Sequence, residues 1–264
     1  MTYITNKDFA LEVSKGNVPG HYAVNKFGEA PDGVQTTATD IWDLADATTT
    51  QQIWLAPTAA RVHALVSTNT NDTNSSGTGA RTVTVWGLPD WDTAETSETV
   101  ALNGTTPVNT SGSYVIIHRM SVVTFGASGP NLGTITATAA TDGTVTAAIL
   151  TGNGQTQMAI YGVPSTQTMY ITNFTATLIT SGVNPSSSNE TVIRGKFAPD
   201  PENNPTVFIT KRTQGIMSTA NSDIEPSFDP RLKLTGPGIL KMQAFSSVAD
   251  TRITATFDGY LVDN

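Results

Sequence analysis

The chain has 264 residues, enough for one large β domain or two of ordinary size. Hydrophobic residues make up 38% and charged residues 14%, so the polar surface falls mainly to Thr, Ser, Asn and Gln, and the absence of Cys excludes disulfides, thiolate metal sites and a Cys nucleophile. The formal net charge of −8, with no basic cluster longer than Lys211-Arg212, argues against a nucleic-acid partner, and no run approaches the roughly 20 apolar residues that span a bilayer.

Met1 to Asp8 lacks a basic start followed by an apolar stretch, so no cleaved signal peptide is expected. Phe9 to Val13 suits a helical turn or a short strand. Gly16, Pro19, Gly20, Gly28, Pro31 and Gly33 then punctuate the chain. Residues 1–50 therefore read as an extended N-terminal arm that still carries Tyr3, Phe9, His21, Tyr22, Phe27, Ile41 and Trp42. Such side chains need something to pack on, since burying one is worth roughly 1.5–3 kcal/mol. Two readings stand: an arm folded onto its own domain, or an arm reaching a neighbouring subunit or a capsid. The second is the hypothesis to test.

From Gln51 the pattern changes to a period of two. Arg81-Thr-Val-Thr-Val-Trp86, Gly133-Thr-Ile-Thr-Ala-Thr-Ala139 and Thr144 to Ile149 alternate hydroxyl with apolar residues, the mark of strands with one face in a core. Branched Thr and Val suit a pleated surface. Asp142-Gly143 supplies a hairpin turn. Strands are expected at 53–55, 62–66, 82–88, 97–102, 114–125, 133–139 and 144–150. A second set follows at 156–163, 169–179, 191–197, 206–210, 238–245 and 253–262. Polar loops fall at 68–79 and 182–189, and Asp223 to Arg231, with Pro226 and Pro230, reads as a surface crossing. No long helix is expected. The fold class is all-β, sandwich or jelly-roll-like, with two β domains (51–152 and 153–264, a soft boundary) after the arm; one merged domain is the alternative.

Few residues suggest chemistry. Asp90, Asp92, Glu95 and Glu98 could supply a glycosidase pair, which needs two carboxylates roughly 5–10 Å apart, but their spacing sets no such distance. Asn69, Asn71, Asp72 and Asn74 offer oxygens to Ca²⁺ without the Asp, Gly and terminal Glu of a calcium loop. His21, His63 and His118 share no metal-ligand spacing, and the last two sit inside strand patterns. Gly77-Thr-Gly79 and Gly152-Asn-Gly154 lack the Gly-Lys-Ser/Thr ending of a phosphate loop, and no Gly-x-Ser-x-Gly elbow occurs. No catalytic, cofactor-binding or metal-binding residue is assigned, and no enzyme is expected. A glycan-binding surface through Trp86, Trp91 and Tyr161 is the competing reading.

Several stretches together carry a resemblance: Asn25-Lys-Phe-Gly-Glu-Ala-Pro-Asp32 with Asp40-Ile-Trp-Asp43, Gly77 to Leu88, Glu98 to Val108, Asn131 to Thr136, Gly152 to Tyr161, and Phe257 to Asp263. The chain resembles a family of virion structural proteins of tailed bacteriophages, common among marine phages, over most of its length. The resemblance implies a capsid- or tail-associated β protein without catalytic residues. It points to a decoration or cement protein on the head, assembled in the host cytoplasm as a homo-oligomer, a trimer, against the major capsid protein or other virion proteins. A neck, tail or fibre component and a host-glycan adhesin are the alternatives.

Overall fold

The computed structural model describes residues 8–45, 51–179, 189–218, 223–224 and 227–264. A six-residue helix α1 (Phe9–Ser14) comes first, its N-terminus capped by the Asp8 carboxylate, which accepts from the Ala10 and Leu11 amides. The strands then run β1 (His21–Val34), β2 (Thr39–Asp40), β3 (Arg61–Ser67), β4 (Ala80–Leu88), β5 (Thr96–Ala101), β6 (Val108–Tyr114), β7 (Ile116–Phe125), β8 (Ile135–Ala139) and β9 (Val145–Ile149). After them come β10 (Ile160–Val163), β11 (Gln167–Ile179), β12 (Asn189–Ala198), β13 (Ile209–Ser218), β14 (Asp223–Ile224), β15 (Ser227–Thr235), β16 (Gly238–Ser246) and β17 (Thr251–Asp263). Among the described residues, no helix is long and apolar enough to cross a membrane.

All strand pairs are antiparallel and form four sheets. β6-β3-β8-β9 and β5-β4-β7 come from the first half; β1-β17-β11, with β14 and β15 along β11, and β10-β16-β12-β13, with β2 on β16, come from the two ends and the second half. The outer strands of the first pair lie beside one another, β7 next to β9 and β5 next to β6. In the second pair Gly195 of β12 lies under the Phe174 ring of β11, where a Cβ would come within 2.7 Å of it. One cluster of buried side chains runs through all four sheets, from Val83, Ile117 and Ile135 to Phe174, Leu240 and Phe257. The fold is all-β and sandwich-like, as the period-two pattern predicts.

The alternation is read directly in β8, where Ile135, Ala137 and Ala139 are buried and the two Thr between them half-buried. In β4 the hydroxyls knit neighbouring strands: Thr82 bonds Thr124 of β7 at 2.6 Å and Thr84 bonds Thr99 of β5 at 2.7 Å. β8 and β9 are joined through Asp142-Gly143, with Gly143 at φ +68°.

Four expectations are corrected. Within the described residues 8–45, the N-terminal segment does not leave the β body. β1 pairs with β17 from His21 to Val34, and Ile41 and Trp42 are fully buried. Its Gly28 is no breaker: it lets β1 press on Ala159 and Ile41, where a Cβ would sit 2.4 Å from the Ala159 nitrogen. Residues 1–7, with Tyr3, and 46–50 lie outside the described residues, as does most of the 182–189 loop. Ile53–Leu55 is not a strand; Trp54 is held instead by its amide on Asp40 and its indole N–H on the Thr146 carbonyl, both at 2.8 Å. Residues 108–114 form a strand of their own, separated from β7 at Val115, whose amide bonds the Leu88 carbonyl. The expected crossing at 223–231 contains β14 and the start of β15; Pro230 is accommodated because it falls where the β15–β11 register shifts, between the Ser227–Asn173 and Leu232–Ile171 pairs, and has no ladder partner there.

Candidate functional site

A cleft of about 510 Å³ opens where the two halves meet, walled by β1, the approach to β5, β7 and β10. β1 turns alternate side chains inward, which brings Val24 and Lys26 to the buried side while Asn25 and Phe27 face out. Glu95 reaches in from the residue before β5, His118 from β7 and Tyr161 from β10. Arg119 stands at the exposed rim, its guanidinium 4.8 Å from the centre of the Trp86 ring.

The inner group is tightly bonded. The His118 ring is fully buried and stacks on Tyr161 at 4.2 Å between centroids. Its Nδ1 faces the Gly162 amide at 3.4 Å and accepts from it, so Nε2 carries the proton and donates to the Glu95 carboxylate. The Tyr161 hydroxyl donates to the same Glu95 oxygen at 3.3 Å. Burial lowers the His118 pKa, more than Glu95 raises it. Burial raises Glu95, but the hydrogen bond and charge of His118 and the Tyr161 hydroxyl outweigh it, leaving the carboxyl below its ordinary value. Burial, reinforced by Glu95, pushes Tyr161 well up. At neutral pH the set is therefore an ionised Glu95 between a neutral imidazole and a protonated phenol. Both imidazole nitrogens are engaged, so His118 has no free nitrogen to take a proton from a substrate.

Lys26 lies beneath this group and donates to the His118 carbonyl. Burial, and then the charge of Arg119, bring its pKa down to about 7. Asp43, behind it, is buried as well and accepts the Gln157 amide at 2.6 Å; burial raises its pKa to about 7 despite that bond.

The structure separates the other candidate residues. Of the four carboxylates, only Glu95 lines the cleft. Asp90 binds the Asp92 and Thr93 amides in its own turn, Asp92 accepts the Ser165 hydroxyl, and Glu98 holds the Ser111 and Gly112 amides with the Tyr114 hydroxyl. Asp72 is fully buried and accepts from Ala80, Leu132 and Gly133 amides and the Ser67 hydroxyl, which uses both of its oxygens. Among the described residues, no group of three His, Asp or Glu is placed to hold a metal. His63 is buried in β3 with Nδ1 on the Arg61 carbonyl, and His21 packs on Phe9. The expected aromatic surface does not assemble: Trp91 and Tyr161 are 8% and 6% exposed, and Trp86 is partly covered by Arg119. Lys26 carried no signal in the sequence, where it falls in the segment read as an extended arm, and Glu95–His118 joins residues 23 apart on separate elements.

Neither a protein-family model nor a characterised protein matches the chain. Among solved structures it is similar, at 10% identity, to the infectious bursal disease virus VP2 subviral particle over 92% of this chain and 72% of that one, with a TM-score of 0.21. It is likewise similar, at 10% identity over 92% and 70%, to T=1 particles derived from infectious bursal virus, with a TM-score of 0.23. Scores this low do not mark a shared fold, and no argument rests on them.

Proposed function

We propose that this chain is a structural protein of a tailed-bacteriophage virion, a decoration or cement protein that stabilises the head through contacts between subunits. It acts without catalysis, as a homo-oligomer, a trimer, seated on the major capsid protein. The observation that carries the reading is where the exposed apolar side chains fall. Large ones stand on outer strands of three of the four sheets: Phe27 on β1, Val123 and Phe125 at the end of β7 beyond the part bonded to residues 154–156, and Ile209 on β13, from 37% to 56% exposed. A free strand edge with apolar side chains invites pairing unless something covers it. The resemblance carried by the stretches from Asn25 to Asp263 supports the same reading.

The test is the composition of purified particles by quantitative mass spectrometry. A head decoration protein is expected in fixed ratio to the major capsid protein. A copy number matching the tail or neck proteins selects that alternative, and absence from the particle rejects the proposal.

A further inference from the structure

Among the described residues two lysines are buried, Lys241 at 2% and Lys26 at 7% exposure. A buried ammonium needs a counter-charge. Lys241 has one inside the chain: it pairs at 2.5 Å with Asp40, whose other oxygen accepts from Gln243. Lys26 has the His118 carbonyl as its hydrogen-bond partner, and the charges of Glu95 and Asp43 act on it, but no described carboxylate forms an ion pair with it. Arg119, on the same cleft, likewise forms no ion pair with a described carboxylate and rests on Trp86. The third charge on the cleft, Glu95, is engaged by His118 and Tyr161. The cleft thus sets Arg119, and Lys26 when it is protonated, against one carboxylate, in a chain whose net charge is −8.

We propose that this cleft binds a small hydroxylated monocarboxylate, a sugar acid, with its carboxylate between Lys26 and Arg119. Such an anion gives Lys26 the partner that Asp40 gives Lys241. A dianion such as phosphate is disfavoured by Glu95 on the same wall. The volume of about 510 Å³ takes a single sugar ring with room for water. The amide of Gln155 and the half-exposed ring of Tyr22, both on the lining, suit a hydroxyl group and an apolar ring face. The low pKa of Lys26 adds a signature: near pH 8 the free amine is mostly neutral, and a bound carboxylate favours its protonated form. Binding there takes up a proton. The inference concerns the free chain and is independent of any place in a virion.

Isothermal titration of the full chain at about pH 8, in two buffers of different ionisation enthalpy, tests it with glucuronate, glucose and phosphate as probes. The expected result is saturable glucuronate binding with proton uptake, weakened at least about tenfold by Lys26→Met and several-fold by Arg119→Gln, with phosphate weaker and glucose silent. Arg119 is exposed, so Arg119→Gln keeps the test decisive if Lys26→Met fails to fold. No saturable glucuronate binding overturns the proposal. So does glucose or phosphate binding as tightly as glucuronate, or glucuronate binding that no folded variant weakens.

Discussion

Asp72 accepts four hydrogen bonds from within a loop that has little apolar surface of its own. It ties the 68–79 loop to the start of β4 and to the approach to β8, so a polar stretch is fixed by one buried carboxylate rather than by a core. Asp72→Ala strands two buried amides, one half-buried amide and a hydroxyl, and unfolding in urea should show a loss of at least about 3 kcal/mol. Two other buried groups set opposite pH dependences. Burial lowers the pKa of His63 from 6.5 to about 4, so the unfolded chain binds the extra proton in that interval and stability falls as pH drops from about 6.5 to about 4. His63→Leu should flatten this acid limb, which at full size is on the order of 3 kcal/mol. Asp43 runs the other way: raised from 3.8 to about 7 by burial, it makes its contribution fully below about pH 4, and that contribution is lost as pH rises through about 7. Asp43→Asn keeps an acceptor for the Gln157 amide and should gain stability relative to the native chain at about pH 7 but not at about pH 4, measured by urea unfolding at both. The burial of His63 and His118 was legible in their strand-like surroundings. The role of Asp72 was not, because its partners come from three separate stretches of chain.

At the scale of elements, β17 is the strand most of the second half depends on, paired along its length with β1 on one side and β11 on the other. Its alternation from Ile253 to Leu261 announces it in the sequence, and so do β4 and β8. β1 was missed because glycine and proline in it look like punctuation. Gly28 instead marks a close approach of backbones, and Gly33, at φ +83°, lies where the pairing register with β17 shifts before Val34. Gly28→Ala should therefore cost about 2 kcal/mol or more in thermal or chemical unfolding, since backbone on two sides must move. Gly215→Ala in β13, where a Cβ meets nothing within 4 Å, is the control and should be nearly neutral. A chain beginning at residue 51 strips β1 from β17 and bares an apolar edge. It should lose a cooperative melt rather than keep a folded body without an arm.

For the whole molecule, the four sheets share one core, and the cleft with Lys26, Glu95 and His118 lies on the seam between the halves. The fold class followed from periodicity because strands such as β3, β8 and β17 bury every second side chain, although β10 and β16 are buried on both faces. The seam did not, because it joins residues from 26 to 261 that no local pattern connects. What the molecule leaves open is its edges, and those carry the proposed assembly. Hydrogen–deuterium exchange on purified particles, compared with the free chain, tests it most directly. The proposal predicts that amides at 123–125 of β7 and 209–216 of β13 exchange much more slowly in the particle than in the free chain, while the β17 core stays equally protected in both. A particle that lacks the chain, or holds it with those edge amides exchanging as fast as in the free protein, contradicts it.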